Sequence, residues 1–281
     1  MKHAVFLFAL LFVNASYGQW SKTPMRSESI SISSTVNKRN YKLLVSLPAN
    51  YSNQKKYPVL YFLDGYYAAP IAQEAIKVLK NETQEFITVS IAGDEIHAYD
   101  WLVNRWTDYT FTKLPKVDST FTKIWNISSP GLISGGGETF YKIMKDEMIP
   151  MIERKYSTNQ ERGLAGHSLS GLFVAHVLFK GDGVFTKFGI NSPSFLMWEN
   201  DILAVEQAFA ASHATLNAKV FLSIGGLESS ADMANLNKFE AMLKKYEGMH
   251  VENVQFKDET HSSVIPAMIS RTLRTLYSGK K

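Results

Sequence analysis

Two spacings of apolar residues alternate along the chain, and each predicts one kind of secondary structure. Short alternating or continuous apolar runs predict strands near 29–33, 41–47, 58–63, 86–92, 163–166, 187–191, 220–224 and 251–256. Apolar residues three and four positions apart predict helices over 71–79, 139–156, 169–179, 202–211, 235–246 and 264–277. Pro150 is expected to bend the second of these helices. After two leading strands, strand and helix therefore alternate to the end of the chain.

This alternation predicts an α/β fold with a mostly parallel central sheet and helices on both faces, because parallel strands need helical crossovers. Continuous apolar runs such as 58–63 (PVLYFL) indicate strands that are buried on both sides. Residues 94–137 break the pattern, with weak periodicity and many Trp, Tyr, Thr and Gly residues. Long irregular segments in compact domains are usually functional. We therefore interpret 94–137 as a loop insertion over the site of a single domain spanning 19–281.

The N-terminus has the pattern of a secretory signal peptide. A lysine precedes the apolar run 4–13, which is too short for a bilayer span of roughly 20 residues. Small residues at Ser16 and Gly18 predict cleavage before Gln19. No cysteine follows the run, which excludes a lipoprotein anchor, and no later stretch approaches a membrane span. The sequence thus predicts a signal peptide over 1–18 and an exported protein, periplasmic or secreted.

Composition mainly excludes classes of protein. A hydrophobic content of 45% argues against disorder, and the absence of cysteine removes disulfide frameworks, thiolate metal sites and a cysteine nucleophile. The formal charge is +4, and the longest clusters of basic residues are pairs such as Lys55-Lys56. Nothing here resembles a nucleic-acid patch, so we expect no nucleic-acid partner.

The segment 162–173 (RGLAGHSLSGLF) carries the most informative motif. A predicted strand runs into 166–171 (GHSLSG) and from there into a helix, which is the arrangement of a nucleophile elbow with Ser168 at the turn. The helix start places the Leu169 N–H where an oxyanion would form. The usual pattern is G-x-S-x-G. Here Ser170 takes the last position, and we interpret it as a small residue that the tight packing tolerates.

Two later strands end in side chains that complete a catalytic triad. In α/β-hydrolases the order along the chain is serine, acid, histidine. The strand 220–224 leads to Glu228, and the strand 251–256 leads to His261. Carboxyl ends of parallel strands meet at one edge of a sheet, so these groups are expected to converge on Ser168. Asp232, in the same loop as Glu228, stays open as an alternative acid.

The loop after the third strand, 63–67 (LDGYY), is the predicted source of a second oxyanion donor. Gly65 permits a close backbone approach, which makes the Tyr66 N–H the candidate. The alternative is that this loop forms only a simple turn.

The other histidines suit the role of base less well than His261. His3 lies in the predicted signal peptide, and the side chain of His167 should project differently. The rest are His176 within a predicted helix, His213 near the end of another, His97 in the long segment and His250 before the last strand.

The motifs together resemble one branch of the α/β-hydrolases, the esterase branch that includes esterase D-like enzymes, ferric-siderophore esterases, feruloyl esterases and mycolyl transferases. The matching segments span the predicted mature chain in order: 57–65 (YPVLYFLDG), 86–92 (FITVSIA), 105–110 (RWTDYT), 135–140 (GGGETF), 147–153 (EMIPMIE), 166–172 (GHSLSGL), 224–228 (IGGLE) and 261–266 (HSSVIP). The similarity is greatest to siderophore esterases, whose members carry an Arg-x-x-Asp-Tyr-Thr segment. The resemblance implies serine ester hydrolysis with no metal or organic cofactor.

The same resemblance suggests pocket residues. Arg105 and Asp108 are expected to form a buried ion pair that shapes the pocket, mainly as a structural feature, with His167 close by. The composition of 94–137 is a separate signal. Its aromatic residues suit an aromatic-walled pocket, although packing within the loop is the more common role of such residues: Tyr99, Trp101, Trp106, Tyr109, Phe111, Phe121 and Trp125.

We therefore expect an exported serine carboxylic-ester hydrolase acting on a small-molecule or oligosaccharide ester. A siderophore ester is one expected substrate, and feruloyl or acetyl esters on plant polysaccharide are another. Acyl transfer on the same fold and a binding protein on a degenerate hydrolase fold are the competing classes. The sequence leaves acyl specificity and oligomeric state open.

Overall fold

The computed structural model describes residues 25–95 and 97–279, so the predicted signal peptide 1–18 lies outside the described residues. Eight strands form the sheet: β1 (Ser27–Ser33), β2 (Asn40–Ser46), β3 (Tyr57–Phe62), β4 (Ile87–Gly93), β5 (Thr158–His167), β6 (Lys187–Asn191), β7 (Thr215–Gly225) and β8 (Glu247–Phe256). The α-helices are α1 (Gly65–Leu79), α2 (Ala98–Asp108), α3 (Pro115–Ile124), α4 (Gly137–Ile143), α5 (Ile149–Lys155), α6 (Leu169–Leu178), α7 (Phe195–Ala210), α8 (Ser230–Leu243) and α9 (Ile265–Leu276).

The strands form one sheet in the order β1-β2-β4-β3-β5-β6-β7-β8. The pairs β1–β2 and β2–β4 are antiparallel, whereas every pair from β4–β3 to β7–β8 is parallel. The leading strands can pair antiparallel because a short connection joins them, and the later ones are parallel because helices return the chain. The predicted mostly parallel sheet is confirmed.

Two apolar clusters cover the two faces of this sheet. The larger includes Phe173 of α6 and Phe239 of α8, and the smaller includes Ala72 of α1 and Leu273 of α9, all buried. The strand β3 is buried along its whole length, as its unbroken apolar run predicts. Helices therefore pack on both faces, also as predicted.

The structure corrects one expectation about local structure and refines another. The segment 94–137 is not irregular, because it contains the helices α2 and α3. The predicted helix 139–156 runs from α4 into α5 without a break, but its winding widens to a π-helical turn over Met144–Met148, just before Pro150. Proline lacks an N–H and fits the first turn of α5. The expected bend at Pro150 stays a prediction.

The register of the sheet determines which helix starts lie side by side. Phe62 of β3 pairs with Ala165 of β5, so the residues that follow, which open α1 and α6, lie next to each other at one edge. The loops after β6, β7 and β8 reach the same edge. No helix within 25–95 and 97–279 is long and apolar enough to cross a bilayer.

Candidate active site

Ser168 lies on a strained turn between β5 and α6. Its backbone has φ 62° and ψ −120°, a region that residues other than glycine rarely adopt. Hydrogen bonds hold it there: the Ser168 N–H donates to the Asn191 carbonyl at 3.0 Å, and the Ser168 carbonyl accepts from the Ser194 N–H at 3.1 Å. This is the geometry of a nucleophile elbow, which raises the hydroxyl above the sheet edge. The Ser168 Oγ lies 3.2 Å from the Ser194 Oγ.

Glu228 is held by three hydrogen bonds. Its Oε1 accepts from the Ser192 hydroxyl at 2.6 Å and from the Gly225 N–H at 2.7 Å, while its Oε2 lies 2.6 Å from His261 Nδ1. Burial would raise the pKa of Glu228, but the hydrogen bonds from His261, Ser192 and Gly225 outweigh it and hold the pKa below its ordinary value. The carboxylate is therefore ionised at neutral pH. His261 Nδ1 must then donate, which leaves its Nε2 as a proton acceptor.

Two adjacent loops bring the acid and the histidine together. The Gly226 N–H donates to the Phe256 carbonyl at 2.7 Å, and the Leu227 N–H donates to the Glu259 carbonyl at 2.9 Å. A Cβ on Gly226 would lie 2.3 Å from the Lys257 carbonyl oxygen, so only glycine allows this approach. The loop after β7 and the loop after β8 are thus joined backbone to backbone.

The alternative acid, Asp232, has a different partner. Its carboxylate accepts from the Ser229 hydroxyl at 2.6 Å, and its N–H donates to the Ser229 Oγ at 3.1 Å, which caps the start of α8. Asp232 lines the same cavity as His261, but the structure brings Glu228, not Asp232, to the imidazole.

The two predicted oxyanion donors lie at neighbouring helix starts. Leu169 is the first residue of α6, and Tyr66 is the second residue of α1. N–H groups in the first turn of a helix have no partner within that helix, so both can serve an anion. The Tyr66 side chain turns away, with its hydroxyl donating to the Gly93 carbonyl at 2.8 Å. Gly65 is required by β4 rather than by a ligand, because its Cβ would lie 2.8 Å from the Ile91 backbone.

The expected ion pair between Arg105 and Asp108 does not form, and each residue has another partner. Arg105 donates to both oxygens of Asp64, at 2.7 and 2.9 Å, and to the His167 carbonyl at 3.1 Å. Burial would lower the pKa of Arg105, but the Asp64 carboxylate raises it above its ordinary value. The expectation failed because Asp64 and Arg39, which come from outside α2, supply each of the two residues with an opposite charge.

Asp108 lies against the start of β2 instead. It accepts from Arg39 at 2.7 Å and from the Tyr41 hydroxyl at 3.3 Å. Burial raises the pKa of Asp108 to about 6 in spite of the Arg39 guanidinium. Its position away from the serine gives it a structural role, whereas Arg105 contacts the elbow itself.

His167 packs against the candidate base. Its ring centroid lies 4.6 Å from that of His261, and the residue is only 5% exposed. Burial, followed by the nearby His261 and Arg105, lowers the pKa of His167 to about 3, so the ring is neutral near pH 7. The His167 ring therefore packs on one side of the His261 imidazole. Because the His167 ring is neutral, it places no positive charge beside His261.

These groups open onto a cavity of about 400 Å³. Its polar side includes Ser168, Glu228 and His261, and its apolar side comes from α2, α3, α6 and the segment at the start of α7. The apolar or aromatic lining residues are Leu102, Trp106, Phe121, Trp125, Leu169, Pro193 and Leu196. A volume of this size suits a small organic ligand. Within residues 25–95 and 97–279, no group of three or more His, Cys, Asp or Glu side chains is arranged to hold a metal ion.

Sequence reasoning missed three polar residues of the site. Ser192 and Ser194 follow β6 directly, and their place at the carboxyl end of a parallel strand was the available signal. The third is Asp64, whose carboxylate follows the buried strand β3 and so carries the same signal.

The parallel sheet, the strained serine turn after β5 and the acid–histidine pair after the last two strands define an α/β-hydrolase of the serine type. The family described as "Putative esterase" matches residues 33–263, and the chain belongs to that family. It is an esterase, a hydrolase of carboxylic esters.

Individual known proteins are also similar to this chain in sequence or in fold. The chain is 28% identical to the ferri-bacillibactin esterase BesA of Bacillus subtilis over 262 residues, which cover 86% of each chain. In fold it is similar to the crystal structure of a BES protein from Bacillus cereus, with a TM-score of 0.77, 23% identity, and 98% and 99% of the two chains covered. It is also similar to an IroE-like serine hydrolase from Shewanella oneidensis, with a TM-score of 0.76, 23% identity, and 90% and 80% covered.

Proposed function

We propose that this esterase cleaves its substrate with a Ser168–His261–Glu228 triad. The observation that carries the proposal is the 2.6 Å contact between His261 Nδ1 and Glu228. Both residues line the same cavity as the strained Ser168. An ionised carboxylate on Nδ1 fixes the tautomer whose Nε2 accepts a proton. Metal or cofactor chemistry is not needed for this step.

The reaction follows from these roles. Ser168 Oγ attacks the ester carbonyl while His261 Nε2 takes its proton, and the carbonyl oxygen becomes an oxyanion. The Leu169 and Tyr66 N–H groups, at the starts of α6 and α1, hold that oxyanion. The C–O bond of the ester then breaks, and His261 returns the proton to the departing alcohol. Water, activated by the same histidine, hydrolyses the acyl-serine and restores the enzyme.

A ferric-siderophore ester, such as a catechol-bearing trilactone or its linear ester, is the substrate class we favour. The relative BesA is named as a ferri-bacillibactin esterase, and a similar structure from Aspergillus nidulans is named as a siderophore hydrolase. The aromatic side of the cavity, formed by Trp106, Phe121 and Trp125, suits an aryl group. Feruloyl and acetyl esters of plant polysaccharide remain the competing substrates, and acyl transfer the competing reaction.

The triad is tested by the purified protein and its Ser168→Ala variant on a short p-nitrophenyl ester. We expect the variant to lose at least about a thousandfold in kcat, because removing a triad nucleophile leaves only residual catalysis. Equal activity of the two proteins would overturn the triad. Failure of the wild type to react with a fluorophosphonate would favour a binding protein on the same fold.

The substrate class is tested by the release of free acid from an enterobactin-type trilactone, methyl ferulate and acetylated xylan. A kcat/KM for the trilactone at least tenfold above the other two would support the proposal, and a higher value for either competitor would contradict it. Adding candidate acceptor alcohols and measuring transfer product separates hydrolysis from acyl transfer.

Export is part of the proposal and rests on the sequence of residues 1–18. The N-terminal sequence of the mature protein purified from the expressing cells tests this part of the proposal. We expect its first residue to be Gln19.

A further inference from the structure

Ser170, the residue that departs from the usual elbow pattern, is fully buried, and its hydroxyl contacts three groups. Its Oγ accepts from the His167 N–H at 2.8 Å, and its hydrogen can be donated to Asp64 Oδ2 at 2.7 Å or to the His167 carbonyl at 2.8 Å. Glycine, which the pattern normally carries at this position, could make none of these hydrogen bonds. Small size alone therefore does not account for the residue.

The partner of Ser170 connects two elements of the site. Asp64 directly precedes α1 and has a left-handed backbone, with φ 54° and ψ 48°. Its carboxylate accepts from Arg105, from Ser170 and from the Tyr67 hydroxyl at 3.0 Å. These donors fill both oxygens, and the Asp64 side chain is wholly buried.

The same network holds His167 at both of its backbone groups. The His167 N–H donates to Ser170, and the His167 carbonyl accepts from Arg105, which is itself bound to Asp64. His167 immediately precedes the nucleophile, and Asp64 lies two residues before Tyr66. One buried cluster, formed by Asp64, Arg105 and Ser170, thus joins the elbow to the first turn of α1.

We propose that Ser170 is a positioning residue, which fixes the elbow relative to the first turn of α1 and so sets the spacing of the two oxyanion donors. The proposal rests on the proposed triad and oxyanion site. It assigns Ser170 no contact with substrate. Because the oxyanion forms only in the transition state, an error in spacing lowers kcat and leaves ground-state binding nearly unchanged.

A merely structural role gives a different result. If the Ser170 hydrogen bonds serve only to satisfy buried polar groups, their loss lowers stability but leaves the chemistry of the folded enzyme intact. To separate the two roles, the experiment must measure how tightly the enzyme binds the transition state. The inhibition constant of an arylboronic acid provides this measure, because boron bound to Ser168 mimics the tetrahedral intermediate.

The experiment compares Ser170→Ala and Ser170→Gly with the wild type and with a matched control, Ser46→Ala. Ser46 is also a buried serine, bonded to Gln73 at 2.7 Å, but it lies at the opposite edge of the sheet from the elbow. We expect kcat on a short ester to fall by about 10- to 100-fold in both Ser170 variants, the size of a weakened oxyanion contact. KM should stay within about threefold, and boronate affinity should fall by the same factor as kcat.

The control variant should lose thermal stability and keep kcat within about twofold. A folded Ser170→Ala protein with wild-type kcat and boronate affinity would overturn the proposal. Should both Ser170 variants fail to fold, Tyr67→Phe removes one donor from Asp64 without touching the elbow. About a threefold parallel loss in kcat and boronate affinity is then expected, and unchanged values would overturn the proposal. Absence of activity in the wild type would instead refute the triad.

Discussion

Two buried carboxylates at the same edge of the sheet have opposite kinds of partner. Asp64, after β3, pairs with Arg105, whose side chain is 11% exposed, whereas Glu228, after β7, pairs with His261, whose side chain is 46% exposed. A guanidinium keeps its charge at all accessible pH values, and an imidazole can take up and release a proton near neutrality. The first pair is therefore a constant framework, and the second can change charge during each turnover.

The hydrogen bonds reinforce this difference. Both oxygens of Asp64 are filled by side-chain donors that do not titrate near neutral pH. Glu228 instead has one oxygen held by Ser192 and the Gly225 N–H, which leaves the other to the histidine. Both carboxylates follow a strand, so their position in the sheet does not separate the structural acid from the candidate catalytic one; the exposure and the ionisation of the partner do.

Breaking the Asp64–Arg105 pair should have the largest effect. Asp64→Asn leaves the buried Arg105 charge without a counterion, and losing one partner of a buried pair costs about 3–5 kcal/mol of unfolding free energy. Urea denaturation followed by circular dichroism measures this loss. The exposed Lys55–Glu85 pair supplies the control, because Glu85→Gln should cost less than about 1 kcal/mol. A similarly small loss for Asp64→Asn would show that the buried Asp64–Arg105 pair contributes no more to stability than an exposed one.

Breaking the Glu228–His261 pair should instead affect the rate. Glu228→Gln keeps the shape but cannot stabilise the imidazolium, so we expect kcat to fall by about a hundredfold or more. Steady-state kinetics on a short ester provides the measurement.

The pH dependence of stability should reflect the lowered pKa of Glu228. The folded-state pKa of Glu228 lies below its ordinary value of 4.5, so its stabilisation is present above about pH 4.5 and is lost as the pH falls through the folded-state pKa. The wild type and Glu228→Gln should therefore converge in thermal stability at acid pH. Divergence on acidification, or wild-type kcat in the variant, would contradict the assigned role.

The smallest effect is expected at Asp232. Asp232→Ala removes a carboxylate that lines the cavity and accepts from the capping residue Ser229 at the start of α8, so kcat should change by less than about twofold and stability by about 1 kcal/mol at most. The same kinetic assay decides the matter. A loss comparable to that of Glu228→Gln would show that the loop delivers the other acid to His261.

Much of the fold and the candidate triad could be predicted because both depend on local patterns. Buried strands show as apolar runs, and Ser168, Glu228 and His261 each follow such a run. The partners of Arg105 and Asp108 could not be predicted, because Asp64 and Arg39 are distant in sequence and only the tertiary fold brings them to α2.

The helices of 94–137 were missed for another reason. Their apolar positions do recur at helical spacing, as Leu102 and Trp106 in α2 and Val117 and Phe121 in α3 show. The two helices have only 11 and 10 residues, and Thr, Asp and Lys residues interrupt the apolar pattern. Tertiary contacts across the cavity, rather than local propensity, stabilise such short helices.

The backbone hydrogen bonds of Gly226 and Leu227 limit how the two loops of the site can be redesigned. Because the loops after β7 and β8 are joined through Gly226 and Leu227, an insertion in either loop would displace the acid and the base together. Neither loop can therefore be changed in length to vary acyl specificity without moving the acid and the base. The freedom to accept other substrates lies across the cavity, in the lengths and aromatic residues of α2 and α3, where the lining residue Trp125 is 42% exposed.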